Sequence, residues 1–354
     1  MKIINIVGAR PNFMKIAPII SEMKKYKEIE SLLVHTGQHY DENMSKLFFD
    51  DLVIPRPDIN LNVGSASHAV QTANIMIEFE KVCIKENPDY VLVVGDVNST
   101  IACALVAKKL GIKVIHIEAG LRSFDMKMPE EINRILTDRI SDILFCPSTN
   151  AVENLKKEGF DDFDCKIIKS GDVMLDAVLF YKKFSKNPDF KIPQEFILST
   201  IHRAENTDDS EKLYSMFSAF NKISKDIPII LPLHPRTRKI ISNLAFRFEN
   251  SKLYIVSPVG YLEMLYLLEN CSLVMTDSGG LQKEAFFFKK PCVTLRNETE
   301  WIELVENGFN EVVGTDKENI IIGYKKMIDK KLDFKIDLYG NGKASRKILK
   351  ELIC

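Results

Sequence analysis

No two of the seven cysteines (Cys83, Cys103, Cys146, Cys165, Cys271, Cys292 and Cys354) stand at CxxC spacing, their number is odd, and several lie in apolar runs such as LFCP and PCVTL. A disulfide framework is therefore not expected, and a reduced, cytoplasmic setting is. Long hydrophobic runs are also missing. The stretch around IPIILPL falls well short of the roughly 20 residues that a membrane-spanning helix needs. The opening MKIINIV runs straight into GARP without a basic segment and a long apolar core, so no signal peptide is expected. Neither sign of charge dominates: the formal net charge is -1, which recommends neither nucleic acid nor an anionic membrane as partner. Any anion must be held locally. No fixed-period repeat is found, and the six histidines (35, 39, 68, 116, 202 and 234) are read as carrying no metal motif, so no metal is expected.

What is present is an ordinary globular composition, 45% hydrophobic and 27% charged, over 354 residues. That length favours two domains and a cleft between them. Val-, Ile- and Leu-rich runs recur: IINIV, SLLVHTG, DYVLVVGD, KVIHIEAG, DILFCPS and CKIIKSGD, then, beyond a polar stretch FSKNPDFKIPQ, EFILSTIHR, IPIILPLH, KLYIVSPV, SLVMTDSGG and PCVTLR. Continuous apolar strands separated by helical segments signal parallel sheets covered on both faces. The expected class is α/β, with Rossmann-like domains at 1–172 and 173–340 and a terminal helix, about 341–354, packing back on the first.

Ligands of open α/β sheets bind beyond the carboxyl ends of the strands, and the polar residues fall there. TDSGGLQKEA places Ser278, Gly279 and Gly280 at the start of a helix, where free N–H groups and the helix dipole suit a phosphate. Glu284, one turn on, could accept hydrogen bonds from ribose hydroxyls. Arg10, Lys15, His234 and Arg296 are strand-end donors or cations suited to a diphosphate. GARPNF lacks the G-x-G-x-x-G fingerprint and VHTGQH lacks the acidic residue expected for an adenosine ribose, so a nicotinamide cofactor is not expected.

Asp96 (GDVN), Glu118 (HIEAG) and Glu130 (MPEEINR) would converge at the edge of the first sheet. Carboxylates can remove a proton from carbon and can stabilise an oxocarbenium-like centre. Glu131 and Asp138 read more simply as helix-end or ion-pair groups. His202, in IHRAEN, reads as a proton donor or clamp near a phosphate.

These motifs, GARPNFMKIAP, TGQH, GDVNST, HIEAGLRS, PEEINR, HRAENTDD, TDSGGLQKEA and VGTD, taken in order, resemble the non-hydrolysing UDP-N-acetylglucosamine 2-epimerases over essentially the whole chain. The resemblance implies a glycosyltransferase-B-like pair of domains, often dimeric, with the UDP-sugar between them and no cofactor. It also implies elimination of UDP to a 2-acetamidoglucal and its return after C2 is reprotonated on the other face. Carried over by position, Asp96, Glu118, Glu130 and His202 are catalytic, while Arg10, Lys15, Ser278, Gly279, Gly280, Glu284 and Arg296 bind UDP. Which carboxylate takes the C2 proton stays open.

GARPN, SFDMKMPEE and ETEWIE depart from GTRPE, a longer aromatic loop and TTERPE, and resemble the branch acting on UDP-2,3-diacetamido-2,3-dideoxyglucuronate. The extra carboxylate of that sugar would need a cation, for which Lys127 and Arg122 are the candidates; the open alternative is lineage drift with UDP-N-acetylglucosamine as the unchanged substrate. Competing classes are a hydrolysing epimerase, a glycosyltransferase of the same fold, which would need an acceptor pocket, and a nucleotide-sugar sensor that turns over nothing.

Overall fold

The computed structural model describes residues 1–38, 56–243 and 251–353. The chain divides into two compact units, Met1–Phe180 with Asp337–Cys354, and Tyr181–Ile336. The junction thus follows Phe180 rather than residue 172. The reason is local: the Asp176 carboxylate accepts hydrogen bonds from the amides of Ala344 (3.0 Å) and Ser345 (2.8 Å), capping the last helix and tying its own helix to the first unit.

The first unit holds a parallel sheet of β1 (Lys2–Val7), β2 (Glu30–His35), β3 (Ile59–Asn60), β4 (Tyr90–Val94), β5 (Lys113–Ile117), β6 (Ile143–Cys146) and β7 (Lys166–Lys169), in the order β3-β2-β1-β4-β5-β6-β7. The second holds β8 (Ile197–Thr200), β9 (Ile229–Pro232), β10 (Leu253–Val256), β11 (Leu273–Thr276), β12 (Cys292–Thr294) and β13 (Asn310–Val312), in the order β10-β9-β8-β11-β12-β13. Both are α/β sheets with Rossmann order, the expected class. Each sheet reverses direction of winding once, between β1 and β4 and between β8 and β11, and such a switch point opens a crevice at the carboxyl edge.

The described helices are α1 (Arg10–Met23), α2 (His68–Glu86), α3 (Asn98–Lys109), α4 (Pro129–Ile140), α5 (Thr149–Lys157), α6 (Val173–Tyr181), α7 (Ala204–Thr207), α8 (Ser210–Ile223), α9 (Pro235–Asn243), α10 (Tyr261–Asn270), α11 (Gly279–Phe287), α12 (Ile302–Glu306), α13 (Lys317–Ile328) and α14 (Ala344–Ile353). Among them none is long and apolar enough to cross a membrane.

All eleven apolar runs read from the sequence form strands. In the central strands the side chains are buried on both faces, as in Val91 to Val94 of β4 and Ile229, Ile230 and Leu231 of β9, so they read as unbroken apolar stretches. The edge strands β3 and β13, two and three residues long, are too short to leave such a signature. At the start of α1, the Asn12 side chain accepts from the Ala9 amide (3.0 Å) and donates to the Val94 carbonyl (3.0 Å), locking the β1–α1 turn to the end of β4 at the first switch point.

Candidate active site

Beyond β1 and β5 the chain brings Lys15 onto Glu118, and beyond β4 Asp96 meets Arg134. Lys15 Nζ donates to Glu118 Oε2 at 2.5 Å; Glu118 is 6% exposed, so the pair is poorly hydrated and its attraction is correspondingly large. Glu118 also sits at φ +68°, a left-handed conformation costing a non-glycine residue roughly 1 kcal/mol, which persists where the surroundings enforce it and concentrates at functional sites. Gly95, at φ +70°, lies against the pair: a Cβ there would stand 3.4 Å from Glu118 Oε2 and 4.0 Å from Lys15 Nζ. Asp96, half-buried, accepts from Arg134 Nη2 at 2.5 Å. Glu130 stands in the first turn of α4, exposed. Arg10 opens α1; its side chain lies outside the described part.

A second layer holds this edge rigid. Asp138, fully buried, accepts from the Gly120 amide (3.0 Å) and Arg122 Nη1 (2.7 Å), and His116 Nδ1 lies 2.7 Å away. His116 Nε2 faces the Gly95 carbonyl at 2.8 Å. Burial pushes the Asp138 carboxyl up, but His116 and Arg122 outweigh it and hold the group below its ordinary value of 3.8. Glu131, 1% exposed, accepts from the Ser123 amide and hydroxyl (both 2.9 Å), the Phe124 amide (3.0 Å) and Arg134 (3.0 Å). Both carboxylates are frame groups, as their sequence context suggested.

Arg122 belongs to the frame as well. It is buried and spends its guanidinium on Asp138 and, in a bidentate contact of 2.7 and 2.8 Å, on Glu158. It cannot also serve a substrate carboxylate, which removes one of the two cations considered for that role. Lys127 is exposed.

Gln38 is buried, with Oε1 accepting from the Ser99 amide (2.9 Å) and hydroxyl (2.5 Å). His35 and His39 stand four residues apart, but His35 ends a strand, packed edge-on against Phe13 with ring centroids 5.0 Å apart, and His39 lies outside the described residues. Among the described residues no group of three or more His, Cys, Asp and Glu could hold a metal ion.

In the second unit, Asp277 follows β11 and is completely buried. Its carboxylate accepts from the amides of His202 (3.1 Å) and Arg203 (3.0 Å) and from Asn206 Nδ2 (3.1 Å), and Oδ1 lies 3.2 Å from His202 Nδ1. Burial raises the Asp277 carboxyl, yet these partners outweigh it and hold it below 3.8. The His202 side chain is 59% exposed.

Ser278 caps α11: its hydroxyl accepts from the Leu281 amide (3.4 Å) and its amide donates to Thr276 Oγ1 (2.9 Å). Gly279 and Gly280 form the first helical turn. Glu284 is buried and accepts from the Tyr261 hydroxyl at 3.0 Å; burial first, then the Glu284 charge, pushes that phenol well above 10.

Arg296 is not a free cation. It is buried and forks onto Glu300 at 2.9 and 3.3 Å, and Arg203 approaches the same carboxylate at 3.6 Å. His234 is exposed at the start of α9, its Nδ1 accepting from the Arg236 amide at 3.3 Å. Trp301 donates its indole N–H to the Gly279 carbonyl at 2.8 Å and carries Lys283 Nζ 4.1 Å above its ring.

Arg134, Glu300 and Trp301 were not singled out from sequence, and Asp277 was noted only among the strand-end residues. Arg134 had a signal, since it lies three residues beyond Glu131 on one helix face. Asp277 had only its place at a strand end.

Two Rossmann-ordered sheets in one chain, with cation-paired carboxylates at the edge of one and a Ser-Gly-Gly helix start at the edge of the other, define an α/β protein suited to a phosphate-bearing ligand. Comparison narrows this. Residues 21–353 match the family described as UDP-N-acetylglucosamine 2-epimerase, and the chain belongs to that family. It is 49% identical over 354 residues to the UDP-2,3-diacetamido-2,3-dideoxy-D-glucuronate 2-epimerase of Pseudomonas aeruginosa, covering 99% of each chain. It is 46% identical over 365 residues to the UDP-N-acetylglucosamine 2-epimerase of Methanocaldococcus jannaschii, again covering 99% of each. The crystal structure of the M. jannaschii UDP-GlcNAc 2-epimerase in complex with UDP-GlcNAc and UDP matches with a TM-score of 0.88 at 44% identity, over 100% of this chain and 99% of that one.

Proposed function

We propose that this enzyme inverts C2 of a UDP-activated 2-acetamido sugar by eliminating and re-adding UDP, as a homodimer in the cytoplasm, with no cofactor. One carboxylate takes the C2 proton while the C1–O bond to the diphosphate breaks. The C2–H electron pair becomes the C1=C2 bond of a 2-acetamidoglucal, and UDP leaves with the C1–O pair. In the return step a proton reaches C2 on the opposite face and a UDP oxygen attacks C1. Every atom and electron is regained, so no oxidant or reductant is required.

The observation that carries this reading is the set of carboxylates at the first switch point, Glu118 paired with Lys15 and Asp96 with Arg134. A carboxylate beside C2 can take its proton, and negative charge beside C1 stabilises the oxocarbenium character of the transition state. Asp96, Glu118 and Glu130 share these tasks, and His202 protonates or clamps the departing diphosphate. Arg10, His234, Ser278, Gly279 and Gly280 meet the phosphates, Glu284 meets the ribose, and Lys15, expected at the phosphates, is the partner of the Glu118 carboxylate instead. Arg296 acts on UDP through the Glu300 and Arg203 cluster rather than as an isolated charge.

Within this chemistry the substrate is UDP-2,3-diacetamido-2,3-dideoxyglucuronate. Supporting it are the GARPN, SFDMKMPEE and ETEWIE segments, the 49% identical relative of that name, and the exposed Lys127, which remains available to a carboxylate when Arg122 does not. Product analysis separates the reactions: a UDP-linked manno epimer supports the proposal, whereas free sugar with stoichiometric UDP establishes hydrolysis.

A further inference from the structure

We infer that Asp277 is the positioning residue for His202, selecting the imidazole tautomer that carries its proton on Nδ1 and presents Nε2 outward. The inference rests on the reading of His202 as a catalytic group. Asp277 is fully buried in the second unit, while the His202 ring is largely exposed. The carboxylate therefore approaches the ring from the protein side, at 3.2 Å from Nδ1, and leaves the other nitrogen toward solvent.

An ionised carboxylate only accepts hydrogen bonds. Its other contacts keep it ionised and aimed: the amides of His202 and Arg203 and the Asn206 side chain all donate to it. A neutral imidazole facing such an oxygen with Nδ1 is best satisfied when that nitrogen bears the proton, and the group bonded to one ring nitrogen sets the state of the other. The separation of 3.2 Å lies within hydrogen-bond reach.

The same carboxylate serves a second purpose. The loop after β8 carries His202, and Asp277 leads directly into the Ser-Gly-Gly start of α11. Arg203 Nε also donates to the Asp277 carbonyl at 3.1 Å. One residue thus fixes the imidazole relative to the helix start that meets the diphosphate. A purely structural Asp277 would hold only the loop, and Asn could accept most of those backbone hydrogen bonds. What Asn cannot do is accept from Nδ1 with its amide nitrogen: an NH2 group turned to the ring selects the opposite tautomer.

The test compares the full-length wild type with Asp277→Asn and His202→Asn. Measurements are kcat and KM for C2 epimerisation, UDP affinity by calorimetry, and the ring tautomer by nitrogen NMR of histidine-labelled enzyme, with the His202 signal assigned by its loss in His202→Asn. Expected are an Nδ1–H tautomer in the wild type and an Nε2–H tautomer in Asp277→Asn. The kcat of Asp277→Asn should fall about 100-fold or more, in line with wrong-tautomer variants of other histidine enzymes, with UDP affinity within about fivefold. An Nε2–H tautomer in the wild type overturns the inference even if the Asn variant fails to fold. So does an Asp277→Asn enzyme with kcat within threefold of wild type while His202→Asn is inactive. A fully active His202→Asn enzyme instead removes the catalytic reading of His202 itself.

Discussion

Lys15 Nζ stands 2.5 Å from Glu118 Oε2 across 103 residues of sequence. The cation expected to meet a phosphate and the carboxylate expected to move a proton are one ion pair. Glu118→Gln should abolish C2 exchange, by about 1000-fold or more, and leave UDP affinity within about tenfold, because the helix start proposed to bind the phosphates lies elsewhere in the chain. Lys15→Met should also slow exchange, by stranding a buried carboxylate, and the double variant should be no slower than Glu118→Gln alone, since directly paired groups are non-additive. Loss of UDP binding in Glu118→Gln would assign the pair to the phosphates.

Asp138→Asn should lower stability by about 3 kcal/mol, the cost of breaking a buried charge network on one side, measured by urea unfolding at neutral pH. The folded Asp138 carboxyl lies below its ordinary value of 3.8, so between those two values the unfolded chain binds more protons than the native one. Its contribution is complete above about 3.8 and is lost as pH falls toward the folded value. The Asn variant should lack that part of the acid-induced loss.

The glycine of GARP is required by space. A Cβ on Gly8 would lie 2.0 Å from Ser99 Oγ and 2.6 Å from Ser99 Cβ. Gly8→Ala should therefore destabilise the first unit by about 2 kcal/mol, and Ser99→Gly in the same chain should recover part of it. Equal melting temperatures for Gly8→Ala and the wild type would contradict the packing described.

Much of the fold could be read in advance because buried parallel strands are continuous apolar runs and polar residues collect at their carboxyl ends. Such a reading does not reveal which charges neutralise one another. Arg122 in EAGLRS looks like an available cation until α4 supplies Asp138 and Glu158 reaches it from the end of α5. Arg296 likewise looks free until Glu300, four residues on, folds back onto it. The candidate site could be read only as a set of strand-end residues; its pairings arise on folding, over separations from the four residues of Arg296–Glu300 to the 103 of Lys15–Glu118.

With Arg122 committed, Lys127 is left as the cation proposed for the sugar carboxylate. Lys127→Ala should raise KM for the diacetamido uronate substrate about tenfold and change KM for UDP-N-acetylglucosamine by less than twofold. A specificity ratio unchanged by the substitution would move that role to another group.

The most direct measurement is proton NMR of the purified enzyme in deuterated water, with UDP-N-acetylglucosamine and UDP-2,3-diacetamido-2,3-dideoxyglucuronate offered separately and no cofactor added. Entry of deuterium at C2 together with the UDP-linked manno epimer is the predicted result, faster for the uronate. No exchange at C2 with either sugar would contradict epimerisation by elimination and return of UDP.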